Sequence, residues 1–507
     1  MLLPRPASLT RRTGRFVLDP DTGVRGPSDL VTLVRRELAS TGLPLASRDA
    51  GPAIEVGLDA SLGGEASRLS VADGGVRITG GDQAGVFYAI QSLRQLLPAD
   101  GYRRAAPGRP SWSVPAVLVE DAPRFAWRGA MLDVVRHFMP KDFLFRWVDL
   151  LAMHKYNVCH LHLTDDQGWR FESHRYPRLQ EIASWRAETF GDGTPHGGFY
   201  HQDDLRELVA YAADRCLTIV PEIDMPGHMR AAIAAYPELG HDPAVRLRPA
   251  TRWGVKENVL NLAEETLQFC RDILDEVLQV FPSRYVHIGG DECPTVEWAA
   301  SDREQRRMRA RGVDDVAEYQ RWFTAQIREH LEERGRALVG WDEIVDAGPV
   351  PDALVMGWRS AEHGRHAAAL GQSIVMAPQE STYFNYVQSA DPTEPGAARL
   401  GRIELEAAYA YEPLTGFTEE TAAAVVGTQF QIWTEDIQTP PVVEYQAFPR
   451  GCALAEIAWS PAGERDLADF LTRLRDHHLP RLDALGVNYR PLSGPRPWQR
   501  IANPAPT

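Results

Sequence analysis

The sequence is poor in cysteine and has no cysteine pair at a metal-binding or redox spacing. Its five cysteines are spread over 507 residues, are odd in number and form no CxxC motif. A disulfide framework and a zinc knuckle both need paired cysteines, so neither is indicated. We expect five reduced thiols, no bound metal and no cofactor.

Long apolar runs and an excess of basic residues are also missing. No stretch of about 20 apolar residues suits a membrane-spanning helix. The amino-terminal segment MLLPRPASLTRRTGRF has no apolar core of signal-peptide length. The formal charge of −15 argues against nucleic acid and anionic membrane as partners. We expect a cytoplasmic protein unless a leader has been removed, and the sequence does not give its oligomeric state.

The first 122 residues have a different pattern of predicted strands and helices from the rest of the chain. A helical segment, PSDLVTLVRRELAS, precedes two strand-like segments, AIEVGLDA and RLSVADGGVRITG. The Asp73-Gly74-Gly75 sequence in the second of these is a hairpin signal. Next, QAGVFYAIQSLRQLL spaces its apolar residues as an amphipathic helix does. We predict an α+β domain over residues 1–122, a small antiparallel sheet with helices on one face, with no residues that suggest chemistry.

From residue 123 the pattern changes to a strand followed by a helix, repeated along the chain. Most gaps between the strand candidates have helical periodicity. Eight strand candidates occur: RGAMLDV, YNVCHLHL, LTIVPEI, RYVHIGG, ALVGWDE, ALVMGW, SIVMAP and TQFQIW. They predict an α/β fold, a (β/α)8 barrel over residues 123–490, followed by a Pro-rich tail over residues 491–507.

Unusual polar and aromatic residues follow the predicted strands. The carboxyl ends of the strands in such a barrel share one face, where active sites lie, so we expect these residues to converge. In chain order they are Arg136, Asp165, Asp166, Trp169, Asp224, His228, Asp291, Glu292, Trp341, Trp358, Tyr383, Trp433 and Glu435. Indole rings pack on the apolar faces of sugars while carboxylates and guanidinium groups bind hydroxyls, so the set favours a carbohydrate site.

Two adjacent acids, Asp291 and Glu292, follow a Gly-Gly turn in the segment SRYVHIGGDECP. Most glycosidases use two carboxylates placed about 5 to 9 Å apart on either side of the scissile bond. Adjacent residues are poorly suited to that arrangement. They fit a different scheme, in which the 2-acetamido oxygen of the substrate attacks the anomeric carbon, one acid protonates the leaving group and its neighbour holds the amide.

Five motifs, HIGGDE, RFAWRGAMLDVVRHF, HLHLTDDQGWR, EIDMPGH and IWTED, together resemble glycoside hydrolase family 20, the β-N-acetylhexosaminidases. The resemblance runs from about residue 123 to the late 400s, and the amino-terminal unit is similar to the non-catalytic domain that commonly precedes the barrel. It implies an exo-acting enzyme for terminal non-reducing β-linked N-acetylglucosamine or N-acetylgalactosamine. It also implies substrate-assisted catalysis with retention and no cofactor.

The resemblance assigns roles to individual residues. Glu292 would be the general acid/base and Asp291 would orient the acetamido group, with Asp165 and His228 as a supporting hydrogen-bonded pair. A tryptophan-lined pocket and a neighbouring carboxylate would raise the pKa of Glu292. The implied substrate-binding residues are Arg136, Trp341, Trp358, Tyr383, Asn385, Tyr411, Trp433 and Glu435.

Two positions depart from the family pattern. Asn385 stands where family members often have an aspartate. Tyr411 stands where we expect a residue that stacks on the sugar and is often tryptophan in the family. Both concern recognition of the outer hydroxyls or the leaving group, so they bear on substrate preference. Preference between gluco and galacto substrates does not follow from the sequence.

Three other interpretations each fit part of the sequence. His160-x-His162 followed by Asp165 is similar to the ligand spacing of metal-dependent barrel hydrolases. GGDE begins the signature of diguanylate cyclases, but Cys293 and Pro294 stand where an aromatic residue would follow. The third alternative is a sugar-binding barrel that has lost catalysis, and the presence of both Asp291 and Glu292 speaks against it.

Overall fold

The computed structural model describes residues 1–46, 50–105 and 111–501. Residues 502–507, the end of the predicted Pro-rich tail, lie outside the described residues. Among the described residues, no helix is both long and apolar enough to cross a membrane.

The amino-terminal unit is a six-stranded sheet. In spatial order its strands are Ser8–Leu18, Trp112–Asp121, Ser67–Ala72, Gly75–Gly80, Ala53–Leu58 and Gly23–Arg25. The first four pair antiparallel, and the predicted hairpin joins Ala72 to Gly75. Ala53–Leu58 pairs parallel with both of its neighbours, which adds a parallel edge to the antiparallel sheet.

Two helices, Ser28–Glu37 and Gln83–Leu96, pack against this sheet and against each other. Asp82 caps the second helix, because its side chain accepts a hydrogen bond from the Gly85 N–H. The strands alternate as their sequences predict: Ile54 and Ile78 are buried. Their chain neighbours Glu55 and Arg77 point to the other face of the sheet and form an exposed ion pair.

Eight parallel strands close into a barrel, one for each of the eight predicted segments. Each strand pairs with the next, and the eighth pairs with the first. From first to eighth, the barrel strands are Trp127–Asp133, Val158–His162, Thr218–Glu222, Tyr285–His287, Ala337–Trp341, Leu354–Gly357, Ser373–Met376 and Val425–Ile432. The predicted fold class is therefore confirmed.

Alternate residues of the barrel strands face inward. On the second strand, Cys159 and Leu161 join the core between the strands and the outer helices, whereas the His160 ring stacks on His287 inside the barrel. The third strand places Glu222 inside as well, with no exposed surface. Charged and aromatic side chains thus occupy the interior directly below the carboxyl ends of the strands.

Helices of the barrel layer and of its longer loops surround the strands. Apolar residues at helical spacing, such as Phe323, Ile327 and Leu331, bury one face of each long helix. The helices are Lys141–Met153, Gln202–Ala213, Arg230–Ala235, Glu264–Val280, Val296–Ala300, Asp302–Ala310, Val316–Glu332, Ala361–Ala369, Gln379–Thr382, Leu405–Ala410, Glu419–Ala422, Pro440–Ala447, Arg450–Trp459, Leu467–Arg473 and Leu479–Ala484. Two short antiparallel pairs lie in loops, Thr164–Asp165 with Gly168–Trp169 and Trp185–Arg186 with His196–Gly197.

The amino-terminal unit packs against the end of the barrel where the strands begin. Lys155, just before the second barrel strand, forms a buried ion pair with Asp121 (Nζ to Oδ2, 2.7 Å). The Trp459 indole N–H donates to the other oxygen of Asp121 at 2.8 Å. Arg128, near the start of the first barrel strand, pairs with Glu65 at 2.8 Å. The opposite end, where the strands finish, carries the candidate site.

Candidate active site

The turn after the fourth barrel strand needs both of its glycines. Gly289 and Gly290 have φ of +66° and +84°, in the left-handed region. A Cβ on Gly289 would lie 1.8 Å from Oδ1 of Asp224, and one on Gly290 would lie 2.6 Å from Cγ2 of Ile344. The Gly290 N–H donates to the same Asp224 oxygen. The two glycines therefore let the chain turn tightly against the end of the third strand.

We expect Gly289→Ala to destabilise the protein more than a glycine replacement that only introduces left-handed strain. Gly312→Ala is the matched control, because Gly312 has a similar φ of +70° and open space around its Cα. The control should lower the free energy of unfolding by about 1–2 kcal/mol. Gly289→Ala should cost at least about 2 kcal/mol more through the clash with Asp224. Urea unfolding measures both, and equal losses would contradict the clash.

The turn directs its two acids into different surroundings. The Asp291 side chain is 12% exposed, whereas that of Glu292 is 42% exposed. Burial, opposed by His228 and reinforced by Glu222 and Glu292, raises the pKa of Asp291 to about 6. The secluded surroundings that the sequence analysis placed around Glu292 thus lie around Asp291. Glu292 has a left-handed φ of +44°, a strained conformation for this residue.

The predicted supporting pair is present. Nδ1 of His228 lies 3.2 Å from Oδ1 of Asp165. Its Nε2 lies 3.7 Å from Oε2 of Glu292 and 3.8 Å from Oδ2 of Asp291. Burial favours a neutral ring, but Asp165 and Asp224 outweigh it and raise the pKa of His228 well above its usual value. A cationic imidazole therefore stands beside both acids.

Arg136, beyond the first barrel strand, lies on the other side of Asp165. Its Nη2 is 2.6 Å from Oδ2 of Asp165, and its Nη1 is 3.3 Å from Oδ2 of Asp133. Its Nε donates to Oε1 of Gln167, and its guanidinium lies over the Trp433 ring, 4.9 Å from the centroid. These contacts fix the guanidinium at the mouth of the barrel, as a hydroxyl-binding role requires.

Four aromatic side chains named from the sequence come together. Trp358 stacks on Tyr383 with ring centroids 5.9 Å apart, and Tyr383 lies 6.4 Å from Trp433. Trp341 lies 5.9 Å from Trp433 on the inner side. Trp341 is buried, whereas Trp358 and Trp433 keep some exposed surface. The cluster provides apolar walls at the mouth of the barrel.

Asn385 and Glu435 complete the set from the seventh and eighth βα loops. Asn385 is 2% exposed, and its Oδ1 has no hydrogen-bond partner among the described residues. Burial raises the pKa of Glu435, while the Arg136 guanidinium opposes that shift and so lies within electrostatic reach. Glu435 can therefore present a carboxyl group near Arg136, and Asn385 has an acceptor free for a ligand.

Tyr411 does not belong to the site. The neighbouring Glu412 pairs with Arg124, which precedes the first barrel strand, and Arg465 donates to the Tyr411 carbonyl. Tyr411 therefore lies in the outer layer toward the end of the barrel where the strands begin. The segment 405–424 leads the chain back to the start of the eighth strand, and among the described residues Tyr411 makes no ring contact with the aromatic cluster.

Two acids that the sequence analysis did not assign are part of the site. Glu343, two residues after the fifth strand, accepts a hydrogen bond from the Trp358 indole (2.8 Å). Burial, reinforced by Asp291 and Asp342, raises the pKa of Glu343 to about 9. Glu222 accepts from the Trp341 indole at 2.9 Å. A glutamate at an inward position of an apolar strand was the available signal for Glu222.

The alternative of a metal-dependent hydrolase does not fit the histidine geometry. His162 has Nδ1 2.6 Å from Glu222 and Nε2 2.9 Å from Asp165. With both ring nitrogens hydrogen-bonded to carboxylates, the imidazole is a double donor and has no lone pair for a metal. His160 is fully buried and faces Glu222 at 3.0 Å, below the pocket rather than open to substrate.

The chain is similar to proteins of one family along both of its units. Residues 125–462 match the glycosyl hydrolase family 20 catalytic domain, and residues 1–122 match domain 2 of that family. A β-hexosaminidase from Porphyromonas gingivalis is 39% identical over 501 residues, which cover 96% of this chain and 64% of that relative.

Two solved structures are similar over most of their length. An exo β-N-acetylglucosaminidase from Vibrio harveyi, in complex with N-acetylglucosamine, has a TM-score of 0.88 and 32% identity, covering 97% of this chain and 78% of that one. A β-N-acetylhexosaminidase from Streptomyces coelicolor has a TM-score of 0.86 and 33% identity, covering 97% and 98%. With both domain matches and these likenesses along nearly its whole length, the chain belongs to glycosyl hydrolase family 20.

Proposed function

We propose that the protein hydrolyses the bond between a terminal, non-reducing β-linked N-acetylhexosamine and its aglycone, with retention of configuration. The observation that carries the proposal is the pair of adjacent acids, one secluded and one exposed, beside a wall of tryptophans. The names of the relatives, β-hexosaminidase and β-N-acetylglucosaminidase, support the same substrate class.

In the first step the acetamido oxygen attacks the anomeric carbon. Glu292 gives its proton to the glycosidic oxygen as the bond from that oxygen to the anomeric carbon breaks. The amide nitrogen gains positive charge as the oxazolinium ring closes. Asp291 is suited to stabilise that charge, since its Oδ1 has no partner among the described residues and can accept the amide N–H.

In the second step water attacks the same carbon and opens the ring. Glu292, now a carboxylate, takes a proton from the water, while Asp291 keeps the amide oriented. The anomeric centre inverts twice, so the product keeps the β configuration. His228 faces both carboxyl groups and stabilises the carboxylate form of Glu292 between the two steps.

The remaining residues suit recognition of the sugar. Arg136 and Glu435 offer a cation and an acceptor for outer hydroxyls, and Asn385 offers an amide where a charge is common in the family. Trp341, Trp358, Tyr383 and Trp433 are suited to line a pocket for the acetyl group, since the four rings lie together and Tyr383 is within electrostatic reach of Asp291. Such a pocket would admit one terminal sugar, in keeping with exo action.

The proposal is tested with a pair of chromogenic substrates. We expect turnover of para-nitrophenyl N-acetyl-β-glucosaminide and none of para-nitrophenyl β-glucoside, because only the first supplies the internal nucleophile. Initial rates on both, together with the N-acetyl-β-galactosaminide, also measure the gluco to galacto preference. Comparable rates on the glucoside would mean that an enzyme carboxylate attacks, and the role of Asp291 would have to be withdrawn.

A further inference from the structure

Glu222 is an anionic centre inside the barrel, directly below the candidate pocket. It has no exposed surface, and its carboxylate is surrounded by four rings from three strands. Oε2 lies 2.6 Å from Nδ1 of His162 and 3.0 Å from Nε2 of His160. Oε1 lies 3.1 Å from Nδ1 of His287 and accepts from the Trp341 indole. The Glu222 carboxylate therefore contacts both Trp341, which lines the pocket, and His162, which contacts Asp165.

That histidine, His162, bridges two buried carboxylates. Its second nitrogen hydrogen-bonds to Oδ2 of Asp165 at 2.9 Å. A proton on each nitrogen makes the ring an imidazolium. Burial opposes this charge, but Glu222 and Asp165 outweigh it and raise the pKa of His162 well above its usual value.

Asp165 contacts two residues of the site, Arg136 through one carboxylate oxygen and His228 through the other. Oδ2 of Asp165 also meets Arg136 at 2.6 Å, on the side of the sugar hydroxyls. Oδ1 meets His228, whose Nε2 faces Glu292 at 3.7 Å. An unbroken series of charged groups thus runs from the barrel centre to the proposed acid/base.

We infer that Glu222 and His162 are positioning residues for the proposed hydrolysis, keeping Asp165 ionised and aimed so that Arg136 and His228 hold their places. This inference rests on the proposed function. Neither residue touches the substrate, because both lie beneath Asp165 and Trp341. Their effect reaches the reaction through His228 and through the charge that the site presents to Asp291.

His160 provides a matched control on the same strand. It is as buried as His162, faces the same inward direction and also contacts Glu222. Its Nδ1 turns to the Gln429 amide at 3.1 Å, not to Asp165. If these histidines only pack around Glu222, replacing either one has the same consequence.

The charge on His162 has a predictable effect on pH dependence. The titratable and charged groups that face it, directly or through one partner, are Glu222, Asp224, Asp165, Arg136, His228, His160 and His287. Removing the cation leaves Glu222 and Asp165 less compensated. Proton uptake by Asp165 and Asp291 then occurs at higher pH, so the acid side of the activity profile moves upward.

The experiment compares His162→Gln with His160→Gln on para-nitrophenyl N-acetyl-β-glucosaminide. We expect His162→Gln to lower kcat roughly tenfold or more. We also expect the acid limb of kcat/KM to move up by about half a pH unit or more. His160→Gln should keep the wild-type limb. Circular dichroism and melting temperature establish that each variant is folded.

Two further measurements test the inference if the His162→Gln variant does not fold. Glu222→Gln keeps an acceptor for the Trp341 indole but removes an anion that raises the pKa of Asp291, so it should lower kcat and move the limb to lower pH, opposite to the shift for His162→Gln. Selective ¹⁵N labelling of histidine in the wild-type protein should show imidazolium signals that persist well above neutral pH. Equal pH profiles for both histidine variants, or no such signals, would overturn the inference. A wild-type protein that does not cleave the substrate would instead overturn the proposed function.

Discussion

Replacing Glu292 with glutamine should lower kcat on N-acetyl-β-glucosaminides by about 10³-fold, with KM little changed. Glutamine keeps the shape of the side chain but cannot give a proton to the leaving oxygen or take one from water. The loss should depend on the leaving group. A para-nitrophenolate needs little protonation, whereas the alcohol of an N-acetylglucosamine disaccharide needs it fully, so the disaccharide should lose more.

Initial rates on the aryl substrate and on the disaccharide measure this effect, and Glu406→Gln is the control. Glu406 is an exposed glutamate on the outer helix Leu405–Ala410, so its variant should keep wild-type rates on both substrates. A loss below about tenfold on the disaccharide would assign the acid to another residue. Glu343, a buried carboxyl near Asp291, would be examined next.

Asp291→Asn should lower kcat/KM by roughly 10²- to 10³-fold, a size typical of removing one electrostatic stabiliser of a transition state. The ionised carboxylate accepts the amide N–H and opposes the charge of the oxazolinium. The amide of asparagine supplies an acceptor without the charge. The substitution is nearly isosteric in a site that is only 12% exposed, so we expect the protein to remain folded.

The pH profile tests the same assignment. Activity requires ionised Asp291, and its pKa is raised to about 6. Wild-type kcat/KM should therefore fall by about tenfold per unit of pH below that value. Asp291→Asn should lack this limb. Glu292→Gln should keep it. An unchanged limb in Asp291→Asn would assign it to a different group.

Much of the architecture could be predicted because each barrel strand leaves a local pattern. A short apolar run recurs eight times, most of these runs are followed by a helical period, and the structure has a strand at every one. The adjacent acids and the four aromatic residues could be named for the same reason. Each lies within a few residues of a strand end, and the barrel topology alone brings strand ends together.

What could not be predicted depends on pairing between strands. Glu222 and His162 meet only because the second and third strands are neighbours in a particular register, in which Glu222 pairs with His162. No local pattern gives that register. For Tyr411 the sequence motif was misleading. The YAYEP motif resembles part of a pocket, but it lies in the segment that leads back to the start of the eighth strand, where Glu412 pairs with Arg124.

The direction of neighbouring side chains was also beyond the sequence. Asp291 and Glu292 are consecutive, so the sequence alone could not predict which side chain would be buried. The left-handed conformation of Glu292 turns its carboxyl outward while Asp291 remains inside. The secluded position therefore belongs to Asp291, whose pKa is raised to about 6.

The ion pair between Lys155 and Asp121 has a consequence for how the two units can be separated. Every proposed site residue belongs to the barrel, so a barrel alone would carry the chemistry. Without the sheet unit, Lys155 and Trp459, both buried in the intact chain, would lose the Asp121 carboxylate and face water. The sheet unit thus covers apolar and charged surface of the barrel, and we expect the isolated barrel to be less stable than the intact chain.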